Sequence, residues 1–235
     1  MRHTPRISLL CADLIGILAA GSTAVDRAFT EALGSQGIVP GTTAYAHCMV
    51  QVHDASGQAE INVFRAMFPG NEARALAGSL AFARSLAAAI DRGLLSPLPG
   101  ADDALDKLIG AGLRVCLISS FSRQLSVQAL RALGWYDRVD LVVSADDCPR
   151  GCPWPDPVLT AMLRLGTADV RETAVAGGTD SMVLSGSRAG AGLVAGVLSG
   201  PHSEARLRAA GATHLVASMA DLPDQITAHG AEHAV

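Results

Sequence analysis

Two hydrophobic rhythms divide the chain. Between residues 20 and 96 apolar side chains recur three and four apart, and segments 22–34, 45–52, 60–68 and 71–92 predict helices. Pro97-Leu98-Pro99-Gly100 ends that rhythm and starts another. From there the pattern predicts helix 101–111, strand 114–119, helix 122–133, strand 141–144, helix 156–165, strand 173–176, helix 180–189 and strand 192–197. A last pair, 203–210 and 214–216, precedes a terminal helix near 219–229. Before the helical block, residues 6–12 form a short apolar run that ends near an acid and a glycine, which reads as a buried strand.

Strands alternating with helices predict an α/β fold, a Rossmann-like parallel sheet covered on both faces with its site at the carboxyl ends of the strands. The helical block interrupts this alternation after the first strand. The expected organisation is therefore a core of residues 1–19 and 97–235 with an inserted α-helical cap at 20–96. No internal repeat is seen.

Composition narrows the function. The 235 residues are 49% hydrophobic and 17% charged, which suits a globular chain. A net charge of −4 with scattered basic residues argues against nucleic acid as a partner. No apolar run reaches the roughly 18 residues of a membrane span, and Asp13 in the middle of run 7–20 fits a signal core poorly. Five cysteines at irregular spacing, without a Cys-x-x-Cys pair, suggest neither a disulfide framework nor zinc, so a reduced cytoplasmic setting is expected. A single lysine, Lys107, is the one side chain able to form a Schiff base.

The predicted strand ends bring chemistry together. The first delivers Asp13-Leu14-Ile15-Gly16-Ile17, and the second Ser119-Ser120-Phe121-Ser122-Arg123. The third leads into Asp146-Asp147-Cys148-Pro149-Arg150-Gly151-Cys152, and the fourth ends in Gly177-Gly178-Thr179-Asp180. Further signals stand in order along the chain: Ala132-Leu133-Gly134-Trp135, the Gly-x-Pro-x-Pro-Asp run at 151–156, Ser-Arg-Ala-Gly-Ala-Gly at 187–192 and Gly-Val-Leu-Ser-Gly at 196–200.

Together with Pro-Leu-Pro-Gly-Ala at 97–101, these signals make the chain resemble the haloacid dehalogenase superfamily over nearly its whole length. Within that superfamily it is most similar to the phosphonoacetaldehyde hydrolase branch and its phosphonatase-like relatives. The resemblance implies an aspartate nucleophile at Asp13 and a phosphoryl-binding hydroxyl at Ser119. It also implies a basic residue after the third strand, and aspartates after the fourth that hold Mg²⁺. At those last positions this chain carries Cys152, Gly178 and Met182. Ile15 stands at the acid/base position of ordinary family phosphatases, and Ile17 at the threonine after the turn glycine. Glu60 falls where phosphonoacetaldehyde hydrolase has its Schiff-base lysine.

These departures point one way. Without a cation, Asp13 among Leu14, Ile15, Ile17, Cys152 and Met182 is expected to titrate high and to serve as a general acid/base, or as a nucleophile toward carbon. Ser119 and the amides after Asp13 would orient the substrate. No metal and no cofactor is expected. The expected substrate is a small, weakly charged organic molecule, and the reaction that of a lyase, cyclase, isomerase or carbon-centred hydrolase in specialised metabolism. Two alternatives stand beside this: a catalytically dead binding protein, and a residual phosphatase or phosphonatase-like hydrolase. The expected substrate contacts are Leu14, Ile15, Gly16, Ser120, Arg123, Arg150, Cys152, Gly178, His53 and Glu60. Asp180 reads as a helix-opening residue rather than a metal ligand. A homodimer is an open option for the assembly.

Overall fold

The amino-terminal apolar run becomes β1 (Leu9–Asp13), and a computed structural model describes residues 6–232 around it. A two-stranded antiparallel ribbon, β2 (Ala19–Ala20) with β3 (Ser96–Pro97), brackets the helical insert. The insert holds α1 (Ser22–Ser35), α2 (Thr43–Asp54), α3 (Glu60–Met67) and α4 (Glu72–Asp91). After β3 come α5 (Ala101–Gly110), β4 (Arg114–Ile118), α6 (Arg123–Ala132), β5 (Leu141–Val143) and α7 (Asp156–Leu165). The chain closes with β6 (Thr173–Gly177), α8 (Asp180–Ala189), β7 (Leu193–Val197), α9 (Glu204–Ala209), β8 (His214–Val216) and α10 (Leu222–Glu232). The periodicity missed β2 and β3, because two residues are too few to show a period. It also ran the terminal helix over a separate 3-10 turn at Met219–Asp221.

Helix starts are sharp because side chains cap them. Thr42, Asn71, Ser122, Thr179 and Ser203 each accept a backbone N–H from the first turn they precede.

Six strands form one parallel sheet in the order β5-β4-β1-β6-β7-β8. The order reverses beside β1, with β4 and β5 on one side and β6, β7 and β8 on the other. In an open parallel sheet, that reversal opens a crevice at the carboxyl ends of the strands. Asp13 is the last residue of β1, in register with Ile118 at the end of β4.

Alternate strand residues feed two cores, as a period of two requires. Leu9, Cys11, Cys116, Ile118 and Val175 meet Val158, Ala161 and Met162 of α7 and Met182 of α8. Leu10, Ala12, Val115, Leu117 and Ala176 face α5, α6 and α10, in a cluster that runs on into the insert through Phe29, Phe64 and Phe82. A fully buried phenylalanine such as Phe82 contributes roughly 1.5–3 kcal/mol. Among the described residues, α4 alone is long and apolar enough by composition to cross a membrane. Its stripe of Ala75, Gly78, Phe82, Leu86, Ala89 and Ile90 is buried in the protein.

Candidate active site

Asp13 is fixed from both sides of β1. The Leu14 N–H donates to the Ile118 carbonyl at 3.1 Å, carrying the β4 pairing one residue past the strand. Gly16 then turns the chain with φ +95°, a left-handed value that disfavours a Cβ. The turn closes through Gly16 N–H to the Ala19 carbonyl at 2.9 Å and Ala19 N–H to the Leu14 carbonyl at 3.0 Å.

The carboxylate of Asp13 has neutral partners. Thr179 Oγ1 donates to Asp13 Oδ2 at 3.4 Å, while the same oxygen accepts the Met182 N–H at 3.2 Å as the cap of α8. Burial, opposed by the bonds from Thr179 and the Gly178 amide, raises the Asp13 pKa from 3.8 to about 7. Ser119 follows β4. Its Oγ accepts the Phe121 N–H at 3.2 Å and lies 2.9 Å from Ser126 Oγ, so the side chain is held where the residue lines the same space.

That space is a cavity of about 260 Å³ between the sheet and the insert. Its floor holds Asp13, Leu14, Ile15, Gly16, Ser119 and Ser120. Its roof comes from the insert, with Asp26 and Phe29 of α1, His53 of α2, Gly57 and Gln58 of the following loop, and Glu60 of α3. Phe82 of α4 and Phe121 complete an aromatic wall, with ring centroids 4.5 Å apart for Phe29–Phe82 and 6.1 Å for Phe82–Phe121. His53 Nε2 lies 3.2 Å from Asp26 Oδ1. Glu60 Oε1 accepts the Ser79 hydroxyl at 3.4 Å, whereas Oε2 is buried with no hydrogen-bond partner among the described residues. Burial pushes the Glu60 carboxyl above its ordinary value.

Of the residues singled out in the sequence, Asp13, Ser119, Leu14, Ile15, Gly16, Ser120, His53 and Glu60 line the cavity. Arg123, Arg150, Cys152 and Gly178 do not. Arg123 turns away to Asp147, and Arg150 pairs with Asp156 at 2.9 Å while stacking on Trp154. In both cases an acid close in the fold captures the guanidinium before it can reach Asp13. Cys152 lies behind the floor, its Sγ 3.8 Å from Met182 Sδ. Burial first, and then the nearby Asp13 carboxylate, push its thiol up to about 12, so it stays protonated at neutral pH. Thr179 does more than cap a helix. Its bond to Asp13, and the walls formed by Phe29, Phe82 and Phe121, were hidden in a pattern that reads equally well as capping and packing.

Magnesium does not fit the donor set. Positions 178 and 182, which the resemblance assigns to metal-holding acids, are Gly178 and Met182. An ideal Cβ on Gly178 would stand 2.7 Å from both Gly200 Cα and Ile17 Cγ2, so the space for a carboxylate is already filled. Asp180 is committed elsewhere, with Oδ2 2.6 Å from Arg206 Nε and its N–H donating to His202 Nδ1 at 2.9 Å. Among the described residues no three His, Cys, Asp or Glu side chains cluster in a way that could hold a metal ion.

Comparison with known proteins agrees with the architecture. The family described as haloacid dehalogenase-like hydrolase matches residues 7–190. The chain is 36% identical to a phosphonoacetaldehyde hydrolase of Pseudomonas fluorescens over 105 residues, which are 44% of this chain and 38% of that protein. The match thus spans well under half the length of that relative. A crystal structure of a phosphonoacetaldehyde hydrolase-like protein from Oleispira antarctica superposes with TM-score 0.85 at 23% identity, covering 100% of this chain and 96% of that one. A hydrolase from Pseudomonas syringae gives 0.80 at 24% identity, covering 94% and 98%. At those identities the likeness to solved structures is one of fold.

Proposed function

The chain belongs to the haloacid dehalogenase-like hydrolase family, and from that premise we propose that Asp13 serves as the general acid/base of a metal-independent reaction on a small, weakly charged organic molecule. The observation that carries this reading is the surroundings of Asp13. Its carboxyl meets a hydroxyl and an amide, Thr179 and Gly178, and among the described residues no lysine or arginine lines its cavity, while His53 faces Asp26. A carboxyl that titrates at about 7 has a near-optimal balance of free base and conjugate acid for proton transfer at neutral pH.

Phosphoryl transfer draws its rate from charge neutralisation of the moving group. Here the positions for magnesium and for the basic residue are occupied by Gly178, Met182 and Cys152. Imine formation in the manner of the phosphonoacetaldehyde hydrolases needs an amine where this chain has Glu60. In the proposed arrangement residues 20–96 act as a cap on the 1–19 and 97–235 core. The cap excludes water from the cavity while Ser119 orients the substrate; of the amides after Asp13, those of Leu14 and Gly16 are already committed to the Ile118 and Ala19 carbonyls. A cytoplasmic setting suits the reduced cysteines.

Turnover tested across ester, lactone and hydroxy-carbonyl compounds should survive a chelator and disappear in Asp13→Asn. Activity that is lost to chelation and restored by Mg²⁺ would overturn the reading in favour of the family's phosphohydrolase chemistry. A protein that binds ligand equally well as wild type and Asp13→Asn, and turns over nothing in either form, would be a binder.

A further inference from the structure

We propose that the cavity over Asp13 takes a small amine as its ammonium ion, the cationic head held by Asp13, Glu60 and Ser119 and the apolar body against Phe29, Phe82 and Phe121. This rests on the reading of the cavity as the working site and narrows its weakly charged substrate to one carrying a single positive charge.

The charge balance of the walls points there. Among the described residues three carboxyl side chains, Asp13, Asp26 and Glu60, line the cavity, and no lysine or arginine does. The basic lining residue, His53, is already 3.2 Å from Asp26. Asp13 and Glu60 are therefore left with hydroxyl and amide partners alone. An anion entering this space meets carboxyl groups and no counter-charge. A cation supplies what the walls lack.

Hydrogen-bond capacity points the same way. Glu60 Oε2 is a buried acceptor without a donor among the described residues, and such an atom calls for a partner such as water, an ion or a ligand group. Ser119 and Asp13 line the same cavity. An ammonium group brings three donors and no acceptor, which matches an acceptor-rich lining better than an alcohol with one donor. The aromatic wall adds a third contribution, because ring faces attract a cation and also bury its hydrocarbon body. A volume of about 260 Å³ restricts the ligand to the small end of the metabolite range.

Binding then couples to protons. The bound ammonium favours the ionised forms of Asp13 and Glu60, which burial, and for Glu60 also the nearby Asp146, holds high, so association near neutral pH releases protons. The titratable groups facing the ligand are Asp13, Asp26, His53 and Glu60. Acidification protonates Asp13 and Glu60, and each protonation weakens the hold on an ammonium. Affinity falls from pH 8 to pH 5.

The test is calorimetry and thermal shift on the full chain with benzylamine and cyclohexylamine set against benzyl alcohol, benzoate and phenyl phosphate. The amines should bind roughly tenfold or more tighter than the alcohol at pH 8, with proton release detected as a buffer-dependent binding heat. Glu60→Gln should abolish that preference; where this variant fails to fold, the proton release of the wild type decides. Equal binding of alcohol and amine, or no binding of either amine, overturns the amine proposal while leaving a metal-independent Asp13 intact. Tight binding of phenyl phosphate that depends on Mg²⁺ overturns both.

Discussion

Gly57 in the insert rests directly on Thr179 in the core: an ideal Cβ added to Gly57 would stand 2.7 Å from Thr179 Oγ1. Thr179 is also the residue whose hydroxyl reaches Asp13. The loop between α2 and α3 therefore presses on the group that tunes the central carboxyl, linking insert position to acidity.

Gly57→Ala should break that link. Gly57 has φ +84°, so alanine adds backbone strain to the overlap with Thr179. Gly37, with φ +79° and nothing within 4 Å of an added Cβ, isolates the strain from the overlap. Chemical denaturation should give a loss of about 1 kcal/mol for Gly37→Ala and about 2 kcal/mol or more for Gly57→Ala. Because the Thr179 bond lowers the Asp13 pKa, displacing Thr179 should move that pKa upward, as followed by carboxyl NMR. Equal losses for the two variants and an unmoved Asp13 would contradict the contact.

Asp13→Asn should stabilise the protein, and more so at higher pH. In the unfolded chain Asp13 ionises near 3.8, and in the fold at about 7. Below the lower value both states are protonated and the cost of burying the charge vanishes. Between the two, the folded state holds a proton that the unfolded state has released, so stability falls as pH rises and levels off above about 7. The full interval is worth at most about 4 kcal/mol, and water in the cavity reduces it. Asparagine escapes this penalty and should gain about 2 kcal/mol at pH 8 and almost nothing at pH 4. Urea melts at both pH values measure it. A destabilised Asp13→Asn at pH 8 would mean that an uncounted positive charge faces the carboxylate.

What could be read from the sequence, and what could not, follows from the range of each signal. Helices α7 and α8 were bounded to the residue, because Pro155 and Thr179 start them and Gly166 and Gly190 end them, which are local facts. Asp13 and Ser119 were legible because a strand end fixes where its last residues point. Arg123 and Arg150 were misplaced for the opposite reason. Nearness along a loop carries no direction, and Asp147 and Asp156 decide where those guanidinium groups go. Phe29 and Phe82 lie 53 positions apart on two helices whose apolar stripes read as packing alone. Only the tertiary arrangement turns part of those stripes into the wall of a cavity.

Gly178→Asp should not rebuild a metal site. The added Cβ would meet Gly200 Cα and Ile17 Cγ2 at 2.7 Å, and the glycine backbone cannot give way as a flexible side-chain tip would. The expected result is a loss of about 2 kcal/mol or more, with a melting temperature indifferent to millimolar Mg²⁺. A variant that folds normally and melts several degrees higher with Mg²⁺ would show that the inherited position still accepts an ion.

Arg206 ties the insert to the sheet, and removing it should loosen the one without unfolding the other. Its Nε lies 2.6 Å from Asp180 Oδ2 at the start of α8, its Nη2 donates to the Asp54 carbonyl at the end of α2 at 2.9 Å, and Nη1 stands 3.5 Å from Asp54 Oδ1. Asp180 is held in turn by the buried His202, whose Nδ1 accepts the Asp180 N–H. The chain of contacts runs from β7's exit loop through α8 to the rim of the cavity beside His53. Asp54 is exposed and Asp180 partly so, so the ion pairs alone are worth little, and the fork that spans two elements supplies the rest. Arg206→Leu should cost about 1 kcal/mol globally. Amide exchange should accelerate at residues 53–60 while β1 and β6 stay protected. High salt should reproduce part of the effect in the wild type. Uniform acceleration across the sheet as well as the insert would mean that Arg206 serves the core and not the closure of the cavity.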